Sequence, residues 1–246
     1  MPTIVISGAA SGLGLAFLKA YATDPANLIF ALDRAPIPND EHLLNDNQPS
    51  AAQIVRGKVD VTDESSIAAA VSLLEGKPVD LLLHSAGIRG LVPKIEDANP
   101  SDVAACETLE VMDVDTLMRT FHINAVGTFL LLRTFLPHLK TAKDSKVVIM
   151  SSRMGSLGAN VGGSAYAYRA SKAALNAMVK SFSIDVPEVA FIMCHPGRVE
   201  TKLVRSKEEG AISAEESVNG LRPLISKWDK QDSGKFFDRF GEPIKW

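Results

Sequence analysis

Short apolar runs alternate with longer segments of helical periodicity along most of the chain. The runs are rich in Val, Ile, Leu and Phe and nearly free of polar positions, which is typical of strands covered on both faces. We therefore predict six strands, at 3–7, 27–32, 53–59, 79–84, 146–151 and 189–194. The periodic segments between them predict helices at 13–23, 63–75, 113–140 and 165–186.

The alternation of strands and helices predicts right-handed crossovers, and hence a parallel sheet between two layers of helices. Thr62 or Asp63 is the expected N-cap of the second helix. The Pro- and Asn-rich segment 35–50 is expected to be a surface loop, and 89–112 and 201–214 are expected to be irregular. Because no linker, repeat or low-complexity tract interrupts the pattern, we predict one domain over residues 1–246.

The composition is that of an ordinary globular protein, with 46% hydrophobic and 22% charged residues. A net charge of −3 offers no basic surface for nucleic acid, and no apolar stretch is long enough to cross a bilayer. The N-terminal segment lacks the basic start of a secretory signal, so we expect a cytoplasmic protein with no membrane partner. Cys106 and Cys194 fit no metal or redox spacing and are expected to be buried free thiols.

A glycine-rich segment, "SGAASGLG" (7–14), connects the first predicted strand to the first helix. Gly8, Gly12 and Gly14 give the backbone freedom to approach a phosphate closely. The N–H groups of such a loop, together with the helix N-terminus, present partial positive charge to a pyrophosphate. The position of the segment therefore predicts a dinucleotide site, although a tight structural turn could use the same glycines.

Acidic residues at two further strand ends extend this hypothesis. Asp33 closes the second strand, where a carboxylate can accept hydrogen bonds from the ribose hydroxyls of an adenosine and would repel a 2′-phosphate, which favours NAD over NADP. Arg34 leaves NADP open, because its guanidinium could turn towards that phosphate. Asp60, Val61 and "HSAG" (84–87) are expected at the same edge of the sheet, where ligands bind in open α/β folds.

Tyr168 and Lys172 are four residues apart in the predicted helix 165–186, so they share a helix face. A phenol has an ordinary pKa near 10, and a neighbouring ammonium stabilises the phenolate. A tyrosine perturbed in this way can act as general acid towards a carbonyl oxygen or as general base towards an alcohol. The alternative is that the pair only decorates a solvated helix face.

Polar residues at the end of the fifth strand and within the third helix complete a candidate site. Ser151 and Ser152 are expected at the ligand-binding edge, where a hydroxyl could donate to a substrate oxygen; a strand-ending turn would use the same residues. Asn124, surrounded by apolar residues, could hold a water and a local helix distortion beside Lys172. We expect His195 to be a hydrogen-bonded histidine at a strand end without a catalytic role.

The segments "SGAASGLG", "HSAG", "NAVG", "SSRMG", "YRASK" and "HPGRVET" have the order and spacing found in short-chain dehydrogenases/reductases. The chain resembles that superfamily over essentially its whole length, and within it the C-factor and sniffer type of carbonyl reductase. The resemblance implies a single-domain, doubly wound α/β Rossmann fold with helices on both faces of a parallel sheet of about seven strands, in the order 3-2-1-4-5-6-7. It also implies a cofactor half at roughly 1–112 and a catalytic and substrate half at roughly 113–246.

The resemblance implies a catalytic tetrad of Asn124, Ser152, Tyr168 and Lys172. Tyr168 would be the acid/base and Ser152 the partner of the substrate oxygen. Lys172 would lower the pKa of Tyr168 and bind the nicotinamide ribose, and Asn124 would anchor a proton-relay water. Besides Tyr168 and Lys172, the implied cofactor-binding residues are Gly8, Ser11, Gly12, Leu13, Gly14, Asp33, Arg34, Asp60, Val61, Ser85, Ala86, Gly87, Pro196, Gly197, Val199 and Thr201.

The implied activity is transfer of a hydride between the nicotinamide of NAD(P) and a ketone or secondary alcohol. A catalytically silent sensor or partner module that binds the dinucleotide is the alternative, and an epimerase or dehydratase on the same scaffold is a third hypothesis. An apolar or aromatic carbonyl substrate is expected, unless Arg153 and Arg198 turn inward. The expected substrate-binding residues are Ser152, Met154, Val161, Tyr168 and Leu203.

The chain departs from the superfamily pattern at several places. His84 stands where an Asn that helps to hold neighbouring strands is usual, which leaves open whether His84 replaces that bond. The insertion "GANVGG" (158–163) lengthens the interval between Ser152 and Tyr168, and the extended segment 89–112 could reshape the substrate mouth. The resemblance also implies a homodimer or homotetramer, and the apolar surfaces of the predicted helices 113–140 and 165–186 permit it.

Overall fold

The computed structural model describes residues 1–39, 43 and 52–246. Within them, seven parallel strands form one sheet in the order β3-β2-β1-β4-β5-β6-β7, which confirms the doubly wound fold and the expected strand order. The seventh strand has three residues and is too short to show a pattern in the sequence. The strands are β1 (Thr3–Ser7), β2 (Leu28–Asp33), β3 (Gln53–Lys58), β4 (Leu81–His84), β5 (Lys146–Met150), β6 (Ala190–His195) and β7 (Phe236–Asp238).

Seven α-helices occur in the described part of the chain. They are α1 (Gly12–Ala22), α2 (Glu64–Ser72), α3 (Pro93–Ala98), α4 (Val114–Phe121), α5 (Gly127–Thr141), α6 (Tyr166–Asp185) and α7 (Ala214–Lys227). A π-helical turn, His122–Val126, joins α4 to α5, so the single helix predicted over 113–140 consists of three segments.

Alternation of side chains along each strand divides the core into two layers. In β1, Val5 packs into one layer, whereas Ile4 and Ile6 pack into the other. The first layer contains side chains of α2, α5 and α6, and the second contains side chains of α1 and α7. Both faces of the sheet are therefore covered, which explains why the strands are almost continuously apolar in the sequence.

Two helices lie where the sequence interpretation placed none. The short α3 and a 3₁₀ turn, Ala104–Glu107, lie within the segment 89–112, so its expected irregularity is only partly correct. Helix α7 was missed, although its sequence carries a start signal. The Ser213 hydroxyl accepts a hydrogen bond from the Glu216 amide at 3.0 Å, and a Ser followed three residues later by Glu is typical of a helix N-terminus.

Of the two predicted caps of α2, Asp63 is the N-cap, and its side chain accepts a hydrogen bond from the Ser65 amide. Cys106 and Cys194 are buried free thiols, as expected. Most of the expected loop 35–50 lies outside the described residues. Among the helices that are described, none is long and apolar enough to span a membrane.

Candidate active site

Two adjoining cavities open at the carboxyl edge of the sheet. The larger, of about 580 Å³, is lined by the glycine-rich loop and by the ends of β2, β3 and β4. The smaller, of about 370 Å³, is lined by Ser152 and Tyr168 together with the segment that follows β6. Thr201 and Leu203 line both cavities, so a ligand in one would lie next to a ligand in the other.

The glycine-rich loop turns sharply between β1 and α1. Gly8 has a φ of 79°, in the left-handed region that favours glycine, and its amide donates to the Leu32 carbonyl oxygen at 2.9 Å. A Cβ atom on Gly14 would collide with the Gly8 carbonyl oxygen, so α1 can lie this close to the loop only because Gly14 has no side chain. The first turn of α1 thereby faces the larger cavity and can present its N–H groups to an anion.

Asp33 lies at the end of β2, beside the glycine-rich loop. Its two carboxylate oxygens accept hydrogen bonds from the amides of Ala10 and Ala35, each at 2.9 Å. Arg34 also lines the larger cavity. Asp60 accepts from the amide and the hydroxyl of Thr62, and these two hydrogen bonds lower the pKa of the Asp60 carboxyl. Both carboxylates therefore have fixed orientations at this end of the cavity.

Tyr168 and Lys172 lie on the buried face of α6, and the strand end that carries Ser152 lies beside them. Lys172 Nζ donates to the Met150 carbonyl oxygen at 2.8 Å and lies 5.7 Å from the centroid of the Tyr168 ring. Ser151 Oγ donates to Asn176 Oδ1 at 2.6 Å, away from the cavity, whereas Ser152 lines it. The structure thus separates the two serines, and Ser152 is the one available to a substrate.

The electrostatics of the pair differ from the sequence interpretation. Burial raises the pKa of the Tyr168 phenol above its ordinary value; the charge of Arg89 and a hydrogen bond with Ser152 oppose this. Burial also lowers the pKa of Lys172 to about 8. The pKa of the phenol is therefore raised and not lowered as expected, because burial outweighs the positive charge of Arg89.

Asn124 lies in the π-helical turn, as expected of a residue that accompanies a helix distortion. Its side chain spans to the segment after β4: Oδ1 accepts from the Ile88 amide at 2.8 Å, and Nδ2 donates to the Ile88 carbonyl oxygen at 2.8 Å. Nδ2 also donates to Ser171 Oγ at 3.0 Å, one residue before Lys172 in α6. Asn124 therefore joins the loop after β4, the helix distortion and the buried face of α6 that carries Lys172.

Comparisons with known proteins agree with this geometry. A family model described as short chain dehydrogenase matches residues 2–211. The chain belongs to the short-chain dehydrogenase family. The C-signal protein of Myxococcus xanthus is 37% identical over 171 residues, which cover 69% of this chain and 93% of that protein.

Solved structures of carbonyl reductases resemble this member of the short-chain dehydrogenase family over its whole length. The NADPH-bound carbonyl reductase from chicken fatty liver is 26% identical, with a TM-score of 0.82 and coverage of 100% of this chain and 99% of that one. The carbonyl reductase Sniffer of D. melanogaster is also 26% identical, with a TM-score of 0.79 and coverage of 100% of both chains.

His84, the departure from the usual pattern of the short-chain dehydrogenase family, does connect neighbouring elements. Its Nδ1 lies 2.6 Å from Ser7 Oγ in β1, and its Nε2 lies 2.9 Å from Thr128 Oγ1 in α5. Thr128 Oγ1 in turn donates to the Asn124 carbonyl oxygen at 2.7 Å. These bonds require a proton on Nε2 and none on Nδ1, in keeping with burial, which lowers the pKa of His84 to about 3.

Most predicted cofactor-binding residues line the larger cavity, whereas Tyr168, Gly197 and Val199 line the smaller one and Lys172 and Pro196 line neither. Pro196 is buried, and its carbonyl oxygen accepts a hydrogen bond from Ser217 Oγ of α7 at 2.7 Å. Two other expectations need correction. Val161 does not line the smaller cavity: it is 98% exposed in a loop that projects into solvent beside Gly162 and Gly163. The Nδ1 atom of His195 is buried without a hydrogen-bond partner, so this histidine is not the satisfied one expected.

The sequence interpretation expected the segment 89–112 at the substrate mouth but did not single out Arg89 and Glu107. Arg89 lines the smaller cavity, and its guanidinium carbon lies 4.9 Å from the Tyr168 ring centroid. Glu107 binds that guanidinium through both carboxylate oxygens. Both residues belong to the extended segment 89–112, and an isolated Arg and an isolated Glu eighteen residues apart carry no local signal that they meet.

Proposed function

We propose that the protein transfers a hydride between the nicotinamide of a dinucleotide in the larger cavity and the carbonyl carbon of a substrate in the smaller cavity. The observation that carries this proposal is the junction of the two cavities at Thr201 and Leu203, with Tyr168 and Ser152 on the substrate side. When bound, the dinucleotide supplies or accepts the hydride. The larger cavity fits such a molecule, since its volume of about 580 Å³, its glycine-rich loop and its acidic strand ends match a dinucleotide's size and groups.

The protein's own residues bind the substrate oxygen and move one proton. In reduction, the Tyr168 phenol donates its proton to the carbonyl oxygen as the carbonyl carbon accepts the hydride, which gives an alcohol and a phenolate. Ser152 Oγ hydrogen-bonds the same oxygen and stabilises its developing negative charge. Lys172 and Arg89 provide positive charge next to the phenolate. Oxidation of an alcohol uses the same groups in the reverse direction.

Replacement of Tyr168 by Phe tests the chemical step. Tyr168→Phe removes the proton donor and leaves the ring in its packing position, so we expect kcat to fall by about 10²-fold or more while dinucleotide binding is retained. Ser152→Ala should lower kcat/KM as well, because one partner of the substrate oxygen is lost. Turnover of the Tyr168→Phe protein at the wild-type rate would refute the assignment of Tyr168 as the acid/base.

We propose that NAD is the preferred dinucleotide. Asp33 holds a fixed carboxylate at the adenosine end, where it would accept hydrogen bonds from ribose hydroxyls and repel a 2′-phosphate. Arg34 lines the same cavity and is the group that would favour NADP, and related structures such as the chicken carbonyl reductase contain NADPH.

Titration with NADH and with NADPH, followed by the fluorescence of the reduced nicotinamide, tests this preference. Tighter binding of NADH, with the preference reduced in Asp33→Ser, would support the role of Asp33. Tighter binding of NADPH, lost in Arg34→Ala, would assign the selection to Arg34 and contradict the proposal.

The smaller cavity favours a carbonyl compound with an apolar body and a polar or negatively charged substituent. Met154, Val199 and Leu203 provide its apolar wall. Arg153 and Arg198 both line the cavity and would favour a negatively charged substituent, against which stand the Glu208 carboxylate in the same lining and the pairing of Arg153 with Asp238 at 3.5 Å. Comparison of kcat/KM for neutral and carboxylate-bearing aromatic aldehydes measures this preference, and equal values would remove the role proposed for the arginines.

A catalytically silent role remains the second candidate, and the similarity to a protein named C-signal is the observation that favours it. In that case the dinucleotide would bind and no carbonyl compound would be reduced. The burial of Lys172 beside Tyr168 favours the enzyme, because a binding module has no need of a buried ammonium next to a phenol.

A further inference from the structure

Two positively charged side chains, Arg89 and Lys172, lie over the Tyr168 ring, and Arg89 is the nearer of the two. Its guanidinium carbon lies 4.9 Å from the ring centroid, compared with 5.7 Å for Lys172 Nζ. The Arg89 side chain is only 15% exposed, so solvent screens its charge weakly. A cation over an aromatic ring at this distance is attracted to the ring and stabilises a negative charge on it.

Glu107 holds Arg89 in this position. Nε of Arg89 donates to Oε2 of Glu107 at 2.9 Å, and Nη2 donates to Oε1 at 2.8 Å, so the planar groups are joined by two parallel bonds. Such a bidentate pair fixes the orientation of a guanidinium as well as its distance. Burial alone would lower the pKa of Arg89, but Glu107 raises it, so the guanidinium keeps its charge.

Glu107 also holds the start of the helix that carries Tyr168. Its carbonyl oxygen accepts hydrogen bonds from the Ala165 amide and from Ser164 Oγ, each at 2.9 Å. Ser164 and Ala165 have φ values of 55° and 51°, which non-glycine residues seldom adopt, directly before α6 begins at Tyr166. Glu107 thus fixes both the Arg89 guanidinium beside the phenol and the backbone directly before the helix that carries Tyr168.

We propose that Arg89, held by Glu107, is a positioning residue that stabilises the phenolate form of Tyr168. The consequence for turnover rests on the proposed function, whereas the effect on the phenol does not. Other charged or titratable groups line the cavity that contains Tyr168, act on its charge or lie over its ring: Glu107, Glu208, Lys172, Arg153, Arg169 and His195. Burial raises the pKa of Tyr168; Arg89 and then Ser152 lower it, and the carboxylates of Glu107 and Glu208 raise it further.

Nuclear magnetic resonance of the full chain with carbon-labelled tyrosine measures this effect without a substrate. The chain has three tyrosines, so the Tyr168 resonance can be assigned by its loss in Tyr168→Phe. In Arg89→Met we expect the midpoint of the Tyr168 titration to move to higher pH by about one unit, because the phenolate loses its nearest positive charge. Arg89→Lys, which keeps the charge without the bidentate pair, should recover part of that change.

Arg133→Met is the matched control. Arg133 also lies over an aromatic ring, at 5.5 Å from the Phe129 centroid, and also pairs with a glutamate, Glu64. The Arg133→Met variant should leave the midpoint of the Tyr168 titration unchanged. Arg89→Met leaves the Glu107 carboxylate buried and unpaired, which destabilises the fold. If the single variant does not fold, the double variant Arg89→Met/Glu107→Met replaces it. The double variant should still raise the midpoint of the Tyr168 titration, because Arg89 affects the phenol more than Glu107 does.

An unchanged Tyr168 midpoint in folded Arg89→Met, or an equal change in Arg133→Met, would overturn the proposal. Once a substrate is known, the pH profile of alcohol oxidation gives a second readout. The limb that rises with pH should move to higher pH in Arg89→Met and return towards wild type in Arg89→Lys. If the midpoint moves and the wild-type protein reduces no carbonyl compound, the Arg89–Tyr168 coupling stands and only the proposed function fails.

Discussion

At the scale of single residues, Tyr168 and Lys172 are both buried, and burial is the largest cause of the pKa shift of each. The four-residue interval between Tyr168 and Lys172 places them on one helix face, as the sequence predicts. Their burial raises the pKa of the phenol and lowers the pKa of Lys172 to about 8. Spacing along a helix identifies neighbours, but it does not show how far each is removed from water or that the Arg89 guanidinium lies 4.9 Å from the centre of the Tyr168 ring.

His84 gives a residue-scale prediction about stability and pH. Burial lowers its pKa to about 3, compared with 6.5 for an ordinary histidine, so the folded protein holds the neutral ring between these values while the unfolded chain binds a proton. Its contribution to stability is therefore complete above pH 6.5 and is lost as the pH falls towards 3, by up to about 1.4 kcal/mol per pH unit. In His84→Asn, the loss of unfolding free energy between pH 7 and pH 5 should be smaller by roughly 1–2 kcal/mol.

Urea unfolding at the two pH values measures this difference. His122→Asn is the control, because His122 is exposed and burial is the cause of the effect. A His84→Asn protein that loses as much stability as the wild type between pH 7 and pH 5 would show that His84 is not the buried neutral histidine described here.

At the scale of elements, the sequence predicted the strands and the first helix well because their apolar patterns are strong. It failed where structure depends on contacts between distant segments. The π-helical turn at His122–Val126 is stabilised by Asn124 bonds to Ile88, and nothing in the local pattern of 113–140 separates it from an ordinary helix. The pairing of Arg89 with Glu107 was not predicted for the same reason, because it depends on the folding of a segment that has no regular periodicity.

Helix α7 is a different kind of miss, because its signal is local. Ser213 and Glu216 form the start pattern, and Val218, Leu221 and Ile225 are buried at helical spacing. The glycine-rich loop lines the larger cavity and Ser152, Met154 and Leu203 line the smaller one, as the sequence predicts, whereas Val161 is exposed to solvent and Arg89 was not singled out.

Loss of the Ser213 cap gives the prediction that belongs to this scale. Ser213→Ala leaves the Glu216 amide without its partner, so we expect a loss of about 1 kcal/mol in unfolding free energy. Urea denaturation measures it. Ser226→Ala, in the exposed part of the same helix, is the control and should have little effect, because Ala is a good helix former. Equal stability of the two variants would mean that the Ser213 cap contributes nothing.

At the scale of the whole molecule, exposed apolar side chains on two helices support assembly of identical chains. Val114 and Met118 are 70% and 61% exposed one helical turn apart on α4, and Ile184 is 65% exposed near the end of α6. We expect a homodimer or homotetramer, because apolar side chains so placed are stabilised by burial against a second copy.

Light scattering on the purified protein should give a multiple of the 26.4 kDa chain mass. Met118→Glu should shift this mass towards a single chain, because it places a charge within the apolar surface of α4. Leu73→Glu, a partly exposed apolar position at the end of α2, is the control. A wild-type mass equal to one chain would contradict the expected assembly.

The arrangement of two cavities that meet beside Tyr168 is the feature on which the whole account depends. The most direct test uses NADH that carries deuterium at both C4 positions of the nicotinamide, a panel of ketones and aldehydes, and mass spectrometry of the product alcohol. The account predicts that one deuterium reaches the former carbonyl carbon with the wild-type protein and that Tyr168→Phe, with the dinucleotide still bound, forms almost no product. Alcohol without deuterium, or no alcohol from any carbonyl compound by protein that binds the dinucleotide, would contradict it.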